Sequence, residues 1–241
     1  MAAASSRLPL QCRGIALLNP QLADRTSVVR TKGFLSAEDI ALVHQAAVQH
    51  KKEYGVETVD TPGKYYLQSG GCCRELAALV NRIAELVVAV DREHWGVLDD
   101  DELRDDGPLL ARCVEYHEYH DAGRQICGTH HDAGSLFTAD LMLSHTADFE
   151  GGELLTAEPD MDAAGAVTQL AHVFERGDCC IFLSHKAHSV AKLRAGKRTV
   201  MVIEFWQECA CCCNHRCMGM PPCAAAAAPI SNSANVDVVT H

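Results

Sequence analysis

Two stretches of the chain repeat their apolar residues at three- and four-residue steps. In FLSAEDIALVHQAAVQHKKEYG, residues 34–55, Ile40, Val43 and Ala47 mark one face, the spacing of a helix buried along one side. Ser36, followed three residues on by Asp39, resembles a capping box at its start. In RELAALVNRIAELVVAVDREHWG, residues 74–96, the same recurrence runs through Leu76, Leu79, Val80, Ile83, Val87 and Val90, and Gly96 supplies a stop. The stretch TVDTPGKYYLQSGG between them reads as loop and strand, punctuated by Pro62, Gly63, Gly70 and Gly71.

From Leu109 the pattern changes. LLARCVEYHEYHDAG, SLFTADLMLSHT, GGELLTAE, AVTQLAHVFE, DCCIFLSH and KRTVMVIEFW are short, rich in β-formers and broken by glycine and aspartate, which is the spacing of a β-sandwich or barrel. Helices first and strands afterwards predict an α+β, mainly β chain: a jelly roll buttressed by N-terminal helices. Residues 1–33 read as an arm that supplies a leading strand around Ser27, Val28 and Val29. Residues 34–208 form the domain, with its core over 109–206, and 209–241 form a Cys-rich and then disordered tail.

Composition narrows the possibilities. A net charge of −11 argues against nucleic-acid partners, and no apolar run reaches the roughly 20 residues a spanning helix needs. The start, MAAASSRLPLQCRGIALL, lacks a secretory pattern; cytoplasmic residence is the first reading, and organellar import, favoured by Arg7 and Arg13, is the alternative. Thirteen cysteines, six of them within 209–223, are too crowded and irregular for a disulfide framework. They read as mostly free thiols in a reducing compartment. The acidic run from Asp99, DDDELRDDGP, reads as a solvated loop.

The candidate chemistry starts at GTHHDAGS, residues 128–135. On a strand, residues two apart share a face, so His130 and Asp132 project together while His131 points away. Alone, the pair is better explained by a hydrogen-bonded polar turn with no metal. A facial site of two histidines and one carboxylate needs a third ligand and leaves positions open for oxygen chemistry. The downstream stretch offers His185 and His188, and ten residues beyond His188 stands Arg198, opening an apolar strand. A buried arginine needs an anionic partner, and a dicarboxylate co-substrate on the metal would be one. His185 is the rival ligand, but its offset to Arg198 is longer.

Taken together, HHD at 130–132, EGGEL at 150–154, GDCCIF at 177–182, HSV at 188–190 and Arg198 resemble the iron(II)- and 2-oxoglutarate-dependent dioxygenases, in their prolyl 4-hydroxylase-like branch. The resemblance covers roughly 110–206. It implies a double-stranded β-helix, iron(II) held by His130, Asp132 and His188, and Arg198 as anchor of the 2-oxoglutarate co-substrate. It also implies Tyr116 or Tyr119 near that co-substrate, with Thr138 as a further lining residue and ascorbate as a candidate cofactor. The implied activity is hydroxylation of an unactivated C–H bond, with succinate and CO2 as co-products. A peptidyl side chain such as proline leads among substrates, and a small molecule is the alternative.

Bland readings accompany these. Gly151 and Gly152 allow a tight turn, Glu153 is structural, and Lys197 faces away from Arg198. His117 and His120 are ordinary residues. CACCCNHRC in the tail invites zinc, but its ligands are more crowded than in separated zinc knuckles. A catalytically silent binding module of the same fold, or a zinc-binding β-sandwich, are the other classes.

Overall fold

The computed structural model describes residues 27–54, 63–67, 72–99, 109–120, 127–132, 135–159 and 167–207. The sequence expectations for the N-terminal arm before Ser27, for the acidic run beyond Asp99 and for the Cys-rich tail lie outside the described residues.

Helix α1 spans Ala37–Tyr54. Its expected capping box is present: the Ser36 Oγ accepts from the Asp39 N–H at 3.0 Å, and Asp39 Oδ2 accepts from the Ser36 N–H at 2.9 Å. Helix α2 spans Cys72–His94, two residues earlier than the periodicity proposes at its start. Past its end the chain turns at Gly96, with φ +68°, and Asp91 accepts from the Val97 and Leu98 N–H groups, both at 2.9 Å. Arg82 of α2 reaches Asp39 of α1 at 2.9 Å.

The strands are β1 (Val29–Thr31), β2 (Lys64–Tyr66), β3 (Leu110–Tyr119), β4 (Cys127–His130), β5 (Phe137–Met142), β6 (Phe149–Gly151), β7 (Leu154–Pro159), β8 (Val167–His172), β9 (Cys179–Leu183), β10 (His188–Val190), β11 (Leu193–Gly196) and β12 (Arg198–Trp206). They form a six-stranded sheet, β1-β9-β5-β12-β3-β2, and a four-stranded sheet, β4-β10-β7-β8, with β6 and β11 as a ribbon. Every pairing is antiparallel. From β3 to β12 the chain passes back and forth between the two larger sheets. This is the jelly roll expected, a double-stranded β-helix.

The six-stranded sheet has two unlike faces because side chains alternate. Val114, Ala139, Leu141, Ile181, Met201 and Ile203 pack against Ile40, Val43, Ile83 and Val87 of the helices. Tyr119, Met142, Phe182 and Val200 turn the other way, onto Leu154, Phe174 and Leu193. The helices cover one face, and the other lines the interior between the sheets. The expected leading strand is β1, antiparallel to β9. Asp178 holds it there, accepting from Arg30 Nε at 2.7 Å and from the Gly33 N–H at 2.7 Å.

Three details differ from the sequence reading. His188 does not trail the strand of Cys179–Leu183 but opens β10 in the opposite sheet. Strand β4 ends at His130, so Asp132 lies just beyond it, fixed by its N–H donating to the Ser184 carbonyl at 2.9 Å. The expected segment 166–175 narrows to β8, Val167–His172.

Candidate metal centre

The four-stranded sheet brings the centre together. β10 lies between β4 and β7, with His188 in register with both His130 and Thr156. Residues opposite one another on paired strands share a face, and the two imidazole centroids are 4.3 Å apart. The His130 Nδ1–H donates to the Gly128 carbonyl at 2.9 Å, and the His188 Nδ1–H donates to the Lys186 carbonyl at 2.9 Å. Those bonds orient both rings with Nε2 toward Asp132, where loss of the Nε2 proton leaves a lone pair for a metal. Each Nε2 then faces Asp132, His130 to Oδ1 and His188 to Oδ2, both at 3.5 Å. Burial lowers the His188 pKa, with Asp132 opposing it.

Ligand atoms of the three residues lie within 4.8 Å of one another. Two imidazole nitrogens and a carboxylate facing one space need positive charge between them, as protons carried by the rings or as a metal ion. Burial would raise the Asp132 pKa, but the facing imidazoles and Thr138 hold it below the usual carboxylate range. Thr138 Oγ1 donates to Asp132 Oδ2 at 2.7 Å and accepts from Ser184 Oγ at 2.9 Å. Two nitrogens and one hard oxygen donor fit iron(II).

A second group, Cys113, Glu115 and Glu204, also has its ligand atoms within 4.8 Å of one another. Its charges are already matched. Glu204 accepts from Arg112 at 2.8 Å and Ser135 at 2.6 Å, and Glu115 pairs with Lys64 at 2.5 Å.

Behind the histidines lies a cavity of ≈ 70 Å³ whose walls include Asp132, Thr138, Asp140, Tyr119, Phe182 and Val200. Beside Asp140 and Tyr119 of that wall stands Arg198, 0% exposed. Its Nε, Nη1 and Nη2 have no hydrogen-bond partner among the described residues. The guanidinium lies over the Tyr119 ring at 5.5 Å, and its nearest carboxylate is Asp140, Oδ2 to Nη2 at 3.7 Å. That is the buried unpaired donor set a dicarboxylate would satisfy.

Along β3 a chain of polar groups shares this face. Glu115 Oε2 lies 2.9 Å from His117 Nε2, and His117 Nδ1 lies 2.6 Å from Tyr119 Oη. Burial would raise the Glu115 pKa, but the bond from His117 and the charge of Lys64 hold it at about 2. An ionised carboxylate only accepts, so His117 Nε2 carries the hydrogen. Burial keeps His117 neutral, so its Nδ1 accepts and Tyr119 donates.

Tyr116 and Tyr119 are three apart and so face opposite sides. Tyr119 lines the cavity. Tyr116 packs in the helix-side core with its Oη 2.8 Å from His44 Nδ1, so the expectation for Tyr116 is corrected: it is not a cavity residue. Thr138 does line the cavity, with its proton given to Asp132. Lys197 points out to Glu118 at 2.8 Å. His185 is buried with both ring nitrogens unpaired among the described residues, outside the metal cluster. The sequence reading missed Lys64, Glu115, His117 and Asp140. Alternation with Tyr119 on β3 was the signal for Glu115 and His117, and alternation with Thr138 on β5 for Asp140; Lys64, on β2, joins them only through the pairing of β2 with β3. Cys113, Cys179 and Cys180 are buried.

No protein-family model and no curated protein matches the sequence. Solved structures match the fold. The 2-oxoglutarate-dependent epimerase SnoN of nogalamycin biosynthesis is 16% identical, over 82% of this chain and 83% of its own, with a TM-score of 0.53. A prolyl-4-hydroxylase of Pseudomonas putida is 14% identical, over 83% and 99%, with a TM-score of 0.51. A 2-oxoglutarate/iron(II) oxygenase-family protein of Burkholderia pseudomallei is 15% identical, over 84% and 92%, with a TM-score of 0.50. The chain therefore has the fold of the 2-oxoglutarate/iron(II) oxygenases, whose members here differ in activity. No helix among the described residues is long and apolar enough to cross a membrane.

Proposed function

We propose that this chain is an iron(II)- and 2-oxoglutarate-dependent dioxygenase that hydroxylates an unactivated C–H bond, with a peptidyl side chain such as proline as its first substrate class. One observation carries the reading. Two imidazole nitrogens and a buried carboxylate converge on one space, and a buried guanidinium without a hydrogen-bond partner among the described residues stands beside Asp140 and Tyr119 of the adjoining cavity wall.

His130, Asp132 and His188 hold the iron, and Arg198 pairs with the far carboxylate of the co-substrate. Iron(II) bound there with 2-oxoglutarate supplies dioxygen activation, coupled to release of CO2 and formation of succinate. The protein's residues do the positioning. The Gly128 and Lys186 carbonyls lock the imidazoles, and Thr138 orients the carboxylate. Leu154, Phe182, Val200 and Val202 line the cavity with apolar surface and limit water. The His130 side chain is 36% exposed and that of His188 8%, so substrate approaches from the His130 side. Ascorbate serves as an accessory reductant.

The likeness to the Pseudomonas prolyl-4-hydroxylase supports the peptide reading. The equal likeness to SnoN supports a small-molecule substrate as the second reading.

The test is an anaerobic titration of the protein with iron(II) and 2-oxoglutarate, followed in the visible region, for wild type and His188→Ala. A charge-transfer band that needs both additions and is lost in the variant is expected, as is slow 2-oxoglutarate consumption in air before any substrate is added. A folded wild type with no band would overturn the reading in favour of a silent binding module. Peptides and small molecules are then compared by the rise in succinate formation.

A further inference from the structure

Asp140 sits where the far carboxylate of the co-substrate must arrive. It projects from β5 into the cavity wall, is 4% exposed, and its Oδ1 has no hydrogen-bond partner among the described residues. Its Oδ2 is 3.7 Å from Arg198 Nη2, too long for a hydrogen bond. One guanidinium therefore already has one carboxylate beside it. A dicarboxylate anchored on Arg198 brings a second. Two carboxylates sharing one buried site do not both stay ionised.

The neighbouring hydroxyl does not relieve this. The Tyr119 proton is given to His117, whose other nitrogen is committed to Glu115, so Tyr119 offers the incoming carboxylate no hydrogen. Arg198 supplies N–H donors, and among the described residues of this part of the wall a further donor to the far carboxylate is an Asp140 O–H.

We propose that Asp140 is a specificity residue for the co-substrate: it takes up a proton when 2-oxoglutarate binds and, as the neutral acid, donates to the far carboxylate beside Arg198. The inference rests on the oxygenase reading above.

The surroundings agree. Burial raises the Asp140 pKa; Arg198 from β12 and His188 from β10 oppose the rise, and Asp132 adds to it. From β9, Cys180 is pushed up to about 12 and stays a neutral thiol. From β3, burial lowers the His117 pKa, and the Tyr119 hydroxyl donates to His117. Among the described residues the lysine lining this cavity is Lys64, which is paired with Glu115. A second carboxylate moves Asp140 further in the same direction. The linkage has a definite sign. Affinity for 2-oxoglutarate is constant below the free-state pKa of Asp140. It falls toward tenfold per pH unit above that point and levels off above the bound-state pKa.

The experiment is calorimetric titration of 2-oxoglutarate into the anaerobic iron(II)-loaded full chain, at one pH in buffers of different ionisation enthalpy, and then across pH. Wild type is expected to take up close to one proton per 2-oxoglutarate, with affinity weakening as pH rises. Asp140→Asn is expected to take up none and to bind with a flat pH profile. 2-Oxobutyrate, which chelates metal but lacks the far carboxylate, is expected to bind wild type without uptake, which removes protons released at the metal from the account. His117→Gln tests a second titratable group of the cavity wall and is expected to leave the proton count in place.

Wild-type binding with no uptake overturns the proposal and leaves the oxygenase reading intact, and so does uptake that follows His117 rather than Asp140. Failure of 2-oxoglutarate to bind the iron-loaded protein overturns both. If Asp140→Asn does not fold, the wild-type proton count, its loss with 2-oxobutyrate and its retention in His117→Gln decide the matter.

Discussion

Thr138 has one hydroxyl proton, and the structure spends it on Asp132 at 2.7 Å. That bond fixes which carboxylate oxygen faces His188 and which faces His130. Valine has nearly the same shape and no proton to give. Thr138→Val is therefore expected to keep the fold and to weaken iron(II) affinity by roughly 10- to 100-fold, the usual scale for a lost partner of a metal ligand. Anaerobic titration against a competing chelator measures it. Unchanged affinity would mean that the Ser184 carbonyl bond to the Asp132 N–H holds the ligand unaided. At this scale the sequence was informative where chemistry has few solutions. Two histidines, an aspartate and a buried arginine in that order have few other uses. It was silent on Asp140, because an aspartate in an apolar strand reads as solvent-facing until its neighbours across the sheet are known.

Elements decide which residues meet. Tyr119 lies opposite Arg198 because β3 and β12 pair in that register, and the same register puts Glu115 and His117 opposite Val202 and Val200. Alternation told that Tyr116 and Tyr119 face opposite ways; only the register of β12 tells which side holds the guanidinium. The strand ends matter as much. Gly152, between β6 and β7, has φ +69°, and a Cβ there would stand 2.9 Å from Arg198 Cδ. EGGEL thus turns the chain and also leaves room for the Arg198 side chain, a role its sequence did not disclose. Gly152→Ala is expected to shift Arg198 and weaken 2-oxoglutarate binding roughly tenfold, about 1.4 kcal/mol, while iron(II) affinity is retained. Parallel titrations with metal and with co-substrate separate the two. Equal losses in both would show that the substitution disturbs the whole barrel instead.

At the scale of the molecule, the six-stranded sheet divides stability from chemistry. Its helix-side face joins Val114, Leu141, Met201 and Ile203 to Ile40, Val43, Ile83 and Val87 in one core. Its other face carries the polar cavity, whose buried charges cost stability unless matched. The helices were legible because a long amphipathic pattern has one explanation. The jelly roll was legible as many short strands, but the division of those strands between two sheets depends on contacts far apart in the chain. That division predicts that the two faces can be perturbed separately. Ile83 is 0% exposed in the helix–sheet core, and Ile83→Ala leaves a cavity there at a cost of ~2–5 kcal/mol. For a domain of this size that is a fall in Tm of roughly 5–15 °C. The metal centre sits on the opposite side of the sheet, so at a temperature where the variant is folded its iron(II) affinity is expected to equal that of wild type. Thr138→Val is expected to do the reverse, changing metal affinity with little change in the Tm of the metal-free protein. Thermal unfolding of both variants without metal, set beside their iron titrations, measures the separation. A loss of metal affinity in folded Ile83→Ala would mean that the sheet transmits helix packing to the ligands and that the two faces are not independent.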